Sequence, residues 1–319
     1  MTSPFYCKNI DEGDGKMFDL EKLMPKKQRI RTNIAIALSL IPALCLYTLF
    51  VIYPTFNVFK TSLYGWSGLS PTKTFRGIDN FVRLFKDTTF WLALKNTAFL
   101  LIICTVITMF LALFLAAVLT QTKLKEKHFY RIIFFFPNVL SIVVIGILFS
   151  HIYEPNTGIL NTLLRNIGLG DLAQPWLGKG STVLGAIAVA MIWQAVGYYM
   201  VMYMAGMDGI SRELYEAADI DGASKVIQFF KITLPMIWSI IRVTIVFFIT
   251  STLNMSFLFV NVMTDGGPNS SSEVLLTYMY RQAFTNANFG YAMAIAVVIF
   301  VMAFTLALIS HALTKQTDA

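Results

Sequence analysis

Polar residues are confined to a few intervals of this chain. Between them lie six long apolar runs, Ile34–Phe56, Thr97–Thr120, Ile132–Ile152, Val183–Ala205, Met236–Met263 and Phe289–Leu313. Each is close to the roughly 20 residues that an α-helix needs to cross a hydrocarbon core. Backbone groups inside lipid must be bonded within their own segment, so runs of this length are helices and not strands. Only Arg242 places a permanent charge inside a run, near the start of the fifth, where its long side chain can reach the interface. The pattern predicts an all-α, polytopic membrane protein with six transmembrane helices.

Composition agrees. The 319 residues are 56% hydrophobic and 13% charged, with mean hydropathy +0.64, whereas soluble domains carry about 25% charged residues. The net charge of +7 is not a nucleic-acid footprint, because Lys and Arg fall almost entirely between the apolar runs, where membrane topology places them. The three cysteines, Cys7, Cys45 and Cys104, lie far apart without metal-ligand spacing, so no disulfide or metal site is expected.

Charge also orients the runs. Residues 1–32 form a polar tail ending in Lys26, Lys27, Arg29 and Arg31, and Lys123, Lys125, Lys127 and Arg131 fill the short loop between the second and third runs. Both flanks are expected in the cytoplasm, and six crossings return the C-terminus, beyond Lys315, to the same side. The first external loop is basic as well, with Lys60, Lys73, Arg76, Arg83, Lys86 and Lys95 against Asp79 and Asp87, but its charges are dispersed. The tail lacks the early apolar core and small-residue cleavage site of a secretory signal and is expected to stay attached.

In this orientation residues 206–235 are a cytoplasmic loop between the fourth and fifth runs. The stretch from Ile210 to Asp221 reads as a short helix: Ser211 can cap it, and Glu213 sits in the first turn, where the helix dipole favours an acid. Leu214, Ala217, Ala218 and Asp221 fall on adjacent faces, and the two alanines leave room for another surface. Gly222 stops or bends the helix, and Pro235 marks the entry to the fifth run. A charged loop of this kind is usually a solvated connector.

The residue pattern says more. Glu216-Ala217-Ala218, three residues, Gly222, nine residues, then Ile232-x-Leu234-Pro235 resembles the signature loop of the membrane subunits of ABC importers. Seven fixed types at fixed spacing arise by chance less than roughly once in ten million starts at ordinary residue frequencies. Further stretches resemble the sugar-permease branch of that family, which includes the maltose-type transporters. They are Phe75-x-Gly77-Ile78-x-Asn80-Phe81 with Ala93-Leu94-x-Asn96-Thr97, Phe134-Phe135-x-Pro137 with Ser141, Tyr153-x-Pro155-x-x-Gly158-x-x-Asn161, and Thr264-Asp265-Gly266-Gly267-Pro268 with Tyr280, Ala283-Phe284 and Gly290-Tyr291-Ala292.

The resemblance implies a type I importer transmembrane domain over residues 33–315, in a bacterial cytoplasmic membrane. Its partners would be a second permease subunit, two cytoplasmic ATPases and an extracytoplasmic solute-binding protein. It also implies that Glu216, Ala217, Ala218, Asp219, Asp221, Gly222, Ala223, Ile232, Leu234 and Pro235 belong to the element that receives force from the ATPase. ATP and Mg2+ would be held by that ATPase, since no Gly-x-x-x-x-Gly-Lys-Ser/Thr occurs; Gly178-Lys179-Gly180-Ser181 lacks the spacing. The chain is therefore expected to be a transport subunit and not an enzyme.

Polar and aromatic side chains on the neighbouring runs are candidates for the solute path: Gln194, Gly197, Tyr198 and Tyr199 on the fourth, and Ser251, Asn254, Ser256 and Asn261 on the fifth. Aromatic rings beside amides and hydroxyls suit a sugar or oligosaccharide, although the same residues commonly join membrane helices. A polyol, a glycerophosphodiester or an acidic glycan fits the same architecture. A secondary transporter is disfavoured by the absence of Asp and Glu from the runs, and an enzyme by histidines, His128, His151 and His311, that lie only near run ends.

Overall fold

The computed structural model describes residues 26–121 and 126–314. Residues 1–25, the Lys123 and Lys125 flank and the terminus from Lys315 lie outside the described residues. The chain divides into two units, Met1–Asn57 and Val58–Ala319. In the first, helix α1 (Lys26–Tyr47) passes through a π turn (Thr48–Ile52) into α2 (Tyr53–Ser62), whose last residues begin the second unit.

The second unit continues with a two-stranded antiparallel ribbon, β1 (Tyr64–Gly65) and β2 (Thr74–Phe75), and then α3 (Asp79–Lys86) and α4 (Thr88–Gln121). Next come α5 (Lys127–Val139), α6 (Ile142–Ile152), α7 (Ile159–Asn166) and α8 (Val183–Asp208). The chain then forms α9 (Arg212–Ile220), α10 (Lys225–Gln228), α11 (Leu234–Met236), α12 (Trp238–Met263), α13 (Leu275–Tyr280) and α14 (Phe289–Thr314). Among the described residues, five helical stretches are long and apolar enough to span a bilayer, or six if α5 and α6 together count as one. The third run is thus not one straight span: α5 and α6 meet at 100°. Pro137 sits inside α5, where it removes a backbone donor and crowds the preceding turn. The chain becomes extended at Leu140 and Ser141 before α6 begins.

α8 is the centre, packing against α4, α5, α6 and α12. Its small residues allow this. A β-carbon added at Gly197 would stand 1.7 Å from the Phe134 carbonyl oxygen, so α5 lies directly on the α8 backbone. Without water to drive association, membrane helices depend on such close contact and on a few buried polar bonds. Tyr203 supplies one of these: its hydroxyl lies 2.8 Å from Thr244 Oγ1 of α12 and donates to Met109 Sδ of α4 at 3.0 Å.

At the end away from α9, irregular backbone is held by asparagines. Asn80 Nδ2 donates to the carbonyls of Ser62 and Tyr64, and Asn96 Nδ2 to those of Ser271 and Glu273. Asn161 Nδ2 donates to Pro155 and Gln174, while its Oδ1 accepts from the Trp176 indole at 2.8 Å. Each amide pairs carbonyls that lie outside the helical ladders and would be costly to bury unbonded.

The contact at Gly197 gives a prediction. Gly197→Leu should separate α5 from α8 and lower stability by at least the roughly 1–3 kcal/mol of an overpacked core, read as a fall in thermal midpoint of the purified chain in detergent. Gly185→Ala, where an added β-carbon meets nothing within 4 Å, should leave the midpoint unchanged.

Candidate functional site

The loop between α8 and α12 folds as a hairpin of helices. Ser211 Oγ accepts from the Glu213 N–H at 3.3 Å and caps α9. The helix ends where the Asp221, Gly222 and Ala223 amides donate back to the carbonyls of Ala217, Asp219 and Ala218. Gly222 has φ +73°, a left-handed conformation that side chains with a β-carbon resist. Nothing lies within 4 Å of where its β-carbon would be, so the requirement for glycine is conformational and the space beside it is open.

After the turn, Ser224 caps α10, which continues through a π turn (Phe229–Thr233) and α11 as far as Ile237. There the backbone kinks, and α12 begins. Two sets of side-chain bonds join the arms of the hairpin. Near the turn, Asp219 accepts from Lys225 Nζ at 2.8 and 3.1 Å and from Gln228 Nε2 at 2.5 Å, and Gln228 Nε2 also donates to the Ala223 carbonyl at 3.0 Å. The hydrogen bonds from Lys225, and after them the one from Gln228, hold the Asp219 carboxyl below its ordinary value. Further back, the Tyr215 hydroxyl lies 2.8 Å from Thr233 Oγ1. Gln228 and Thr233 are buried, so their bonds form on the inner side of the hairpin, while the Asp219–Lys225 pair lies at its exposed edge.

The predicted loop residues divide accordingly. Glu216, Ala217, Asp221, Gly222 and Pro235 are exposed, while Ala218, Ala223, Ile232 and Leu234 are half-buried. Ile232 and Leu234 pack with Tyr215 against the core that surrounds α8. Asp219 is exposed but engaged with its own loop. Of Leu214, Ala217, Ala218 and Asp221, Ala218 is half-buried and turns with Tyr215 toward the protein, and the other three are exposed. The outward face is Glu213, Glu216, Ala217 and Ile220, all exposed and within about a third of a turn at 3.6 residues per turn. Ile220, 87% exposed at the tip, was missed by the sequence reading. Its signal was an apolar residue one helical turn beyond Glu216.

The candidate solute-path residues separate as well. Gln194, Gly197, Tyr199 and Ser256 are buried among the helices, and Tyr198 and Ser251 are half-buried. Tyr199 stands edge-on to Phe248 and to Tyr198, with both ring centroids at 5.2 Å. Ser251 and Ser256 donate to carbonyls of their own helix, Phe247 and Leu253. Asn254 and Asn261 are exposed and share one face of α12 with Thr250. Asn254 also lines a cavity of about 220 Å3 with Thr250, Leu276 and Ile299.

Comparison with known proteins supplies the frame for this geometry. A probable ABC transporter permease protein of Bacillus subtilis, YurN, is 44% identical over 273 residues, 85% of this chain and 92% of the relative. The diacetylchitobiose uptake system permease protein NgcF of Streptomyces coelicolor is 34% identical over 266 residues, 80% of this chain and 75% of that one. Among solved structures, a bacterial ABC transporter involved in the import of the acidic polysaccharide alginate shares the fold, with a TM-score of 0.80 at 24% identity over 92% of this chain and 99% of the other. Residues 23–318 match the family described as binding-protein-dependent transport system inner membrane component. With the α9 hairpin emerging between two membrane-spanning helices, the chain belongs to that family of transport permeases.

Proposed function

We propose that this permease imports a sugar or oligosaccharide across a bacterial cytoplasmic membrane, with both termini and the α9 hairpin on the cytoplasmic side. Solute arrives from an extracytoplasmic binding protein, and a second permease subunit, a homologue of this one, completes the path. Two separate ATPases hold ATP and Mg2+, and each permease receives one of them on the outward face of its α9. The sugar reading is supported by relatives such as the diacetylchitobiose permease; the fold neighbour that imports alginate agrees in architecture.

The observation that carries the coupling role is the hairpin itself. Glu213, Glu216, Ala217 and Ile220 face outward beside the open space at Gly222, and the other arm runs through the Ile237 kink into α12. A displacement of α9 is carried by the bonds at Asp219 and Tyr215 to the start of one membrane helix, while Ile210, buried at the end of α8, ties it to the other. Closure of the ATPase pair then favours one of two packings of the permease, the differential contact that a rigid-body switch requires. Asp219 acts here as a positioning residue.

Solute passes along the exposed polar face of α12. Asn254 and Asn261 would be costly against lipid and therefore face the second subunit or an aqueous path; Thr250 shares the face, with its hydroxyl bonded to carbonyls of its own helix. Tyr199 lies behind this face, against Phe248 on the other side of α12, and the buried Gln194 stands on the same helix as Tyr199.

Glu216→Lys, or Gly222→Leu, should abolish uptake in cells while the chain still inserts in the membrane, and the purified chain without its ATPase should hydrolyse no ATP. Normal uptake in either variant sinks the coupling assignment. Asp219→Lys should reduce transport at least several-fold, and the exchange Asp219→Lys with Lys225→Asp should restore most of it, because the pair is rebuilt in reverse. Asn254→Ala should lower transport more than recovery of the assembled complex; if recovery falls first, Asn254 is structural.

A further inference from the structure

The end of α4 away from the hairpin carries a surface that transport, as argued above, leaves unused. The C-terminal half of α4 faces the hairpin, where Phe110, Phe114 and Val118 line a groove with Val226 and Phe230; α3 precedes the opposite end. α3 has three faces that follow one another around its axis. Asn80 and Leu84 are buried, Leu84 against Phe90 and Tyr291. Ile78, Val82 and Phe85 are 69%, 44% and 56% exposed although all are large and apolar. Asp79, Arg83 and Lys86, also exposed, form the third face.

A helix surrounded by water gains nothing from an apolar face of this kind, whereas a helix lying along a bilayer surface requires one. Two observations select lipid. The Phe85 ring lies 6.3 Å from the Trp91 ring, and the Trp91 indole N–H donates to the Phe85 carbonyl at 2.9 Å. Trp91 in turn opens the outward face of the membrane-spanning helix α4, followed one turn on by the exposed Lys95, whose stem can lie along the helix while its ammonium reaches the headgroups, and then by the apolar stripe Phe99, Ile102, Val106 and Phe110. The apolar face of α3 therefore adjoins the interfacial end of that stripe, and the tryptophan joining them is the residue type that collects at headgroup level. Arg83 and Lys86 stand on the adjoining face, with the Arg83 guanidinium 4.6 Å over the Tyr291 ring.

We propose that α3 is an interfacial anchor. Val82 and Phe85 enter the acyl boundary of the leaflet at this end, and Arg83 and Lys86 meet its phosphates. Asp87, which follows α3, accepts hydrogen bonds from the Tyr278 and Tyr291 hydroxyls. Through them the anchor fixes the depth of α4, α13 and α14 together.

The test uses the assembled transporter in nanodiscs of phosphatidylethanolamine and phosphatidylglycerol. Nitroxide labels are carried singly at Val82→Cys, Phe85→Cys and Lys86→Cys, with Cys7, Cys45 and Cys104 replaced by alanine. The ratio of accessibility to oxygen over a nickel chelate should be several-fold higher at 82 and 85 than at 86. Equal ratios overturn the proposal, and so does shielding of 82 and 85 that appears only when binding protein is added, which would make this a protein-docking face. In a chain with its cysteines intact, benzoylphenylalanine at position 85 should crosslink to phospholipid, read by mass spectrometry; crosslinks only to a protein partner overturn the anchor. Neither readout depends on the coupling role of α9.

Discussion

The structure rests on how closely other helices approach α8. In hydrocarbon there is no water to drive apolar faces together, so contact must come from dispersion at short range and from the few polar bonds that lipid leaves intact. Gly197 lets the α5 backbone lie against α8, and Tyr203 ties α8 to α4 and α12. With α8 held in this way, the 100° bend between α5 and α6 and the Ile237 kink before α12 are arranged around it.

The hairpin at Gly222 shows the same logic where water is present. The bonds of Gln228 and Thr233 fall on the inner side, where both residues are buried, and the side turned away from Tyr215 and Ala218 carries Glu213, Glu216, Ala217 and Ile220. The exposed Asp219–Lys225 pair alone would contribute little, as surface ion pairs do. The buried amide of Gln228, bonded to Asp219 and to the Ala223 carbonyl, gives the pair a fixed geometry. The small Ala217 and the open space at Gly222 then leave room for a second surface, and the large exposed Ile220 offers that surface an apolar contact.

At the other end of the molecule the requirement is different. The backbone leaves helical geometry there, and Asn80, Asn96 and Asn161 supply bonds that regular structure would otherwise provide. The motif residues around them were visible in the sequence as a pattern without an evident task. Their task is local: an asparagine side chain has the reach of a peptide group and can bond carbonyls far apart in the chain.

The sequence by itself determined the apolar runs, the class of fold and the loop pattern from Glu216 to Pro235, because length, hydropathy and the signature spacing are properties of contiguous residues. The Ser211 cap and the stop at Gly222 were legible for the same reason, since capping is local chemistry. Tertiary structure alone decided what depends on facing. It broke the third run at Leu140 and Ser141, turned Asp219 onto Lys225 and Gln228, and placed Gly197 in a helix contact and Ile220 in the open. It also separated the candidate path residues, burying Gln194 and Tyr199 and leaving Asn254 and Asn261 exposed. In runs that are apolar on every side, periodicity cannot mark which face meets protein and which meets lipid; only the packing of neighbouring helices assigns it.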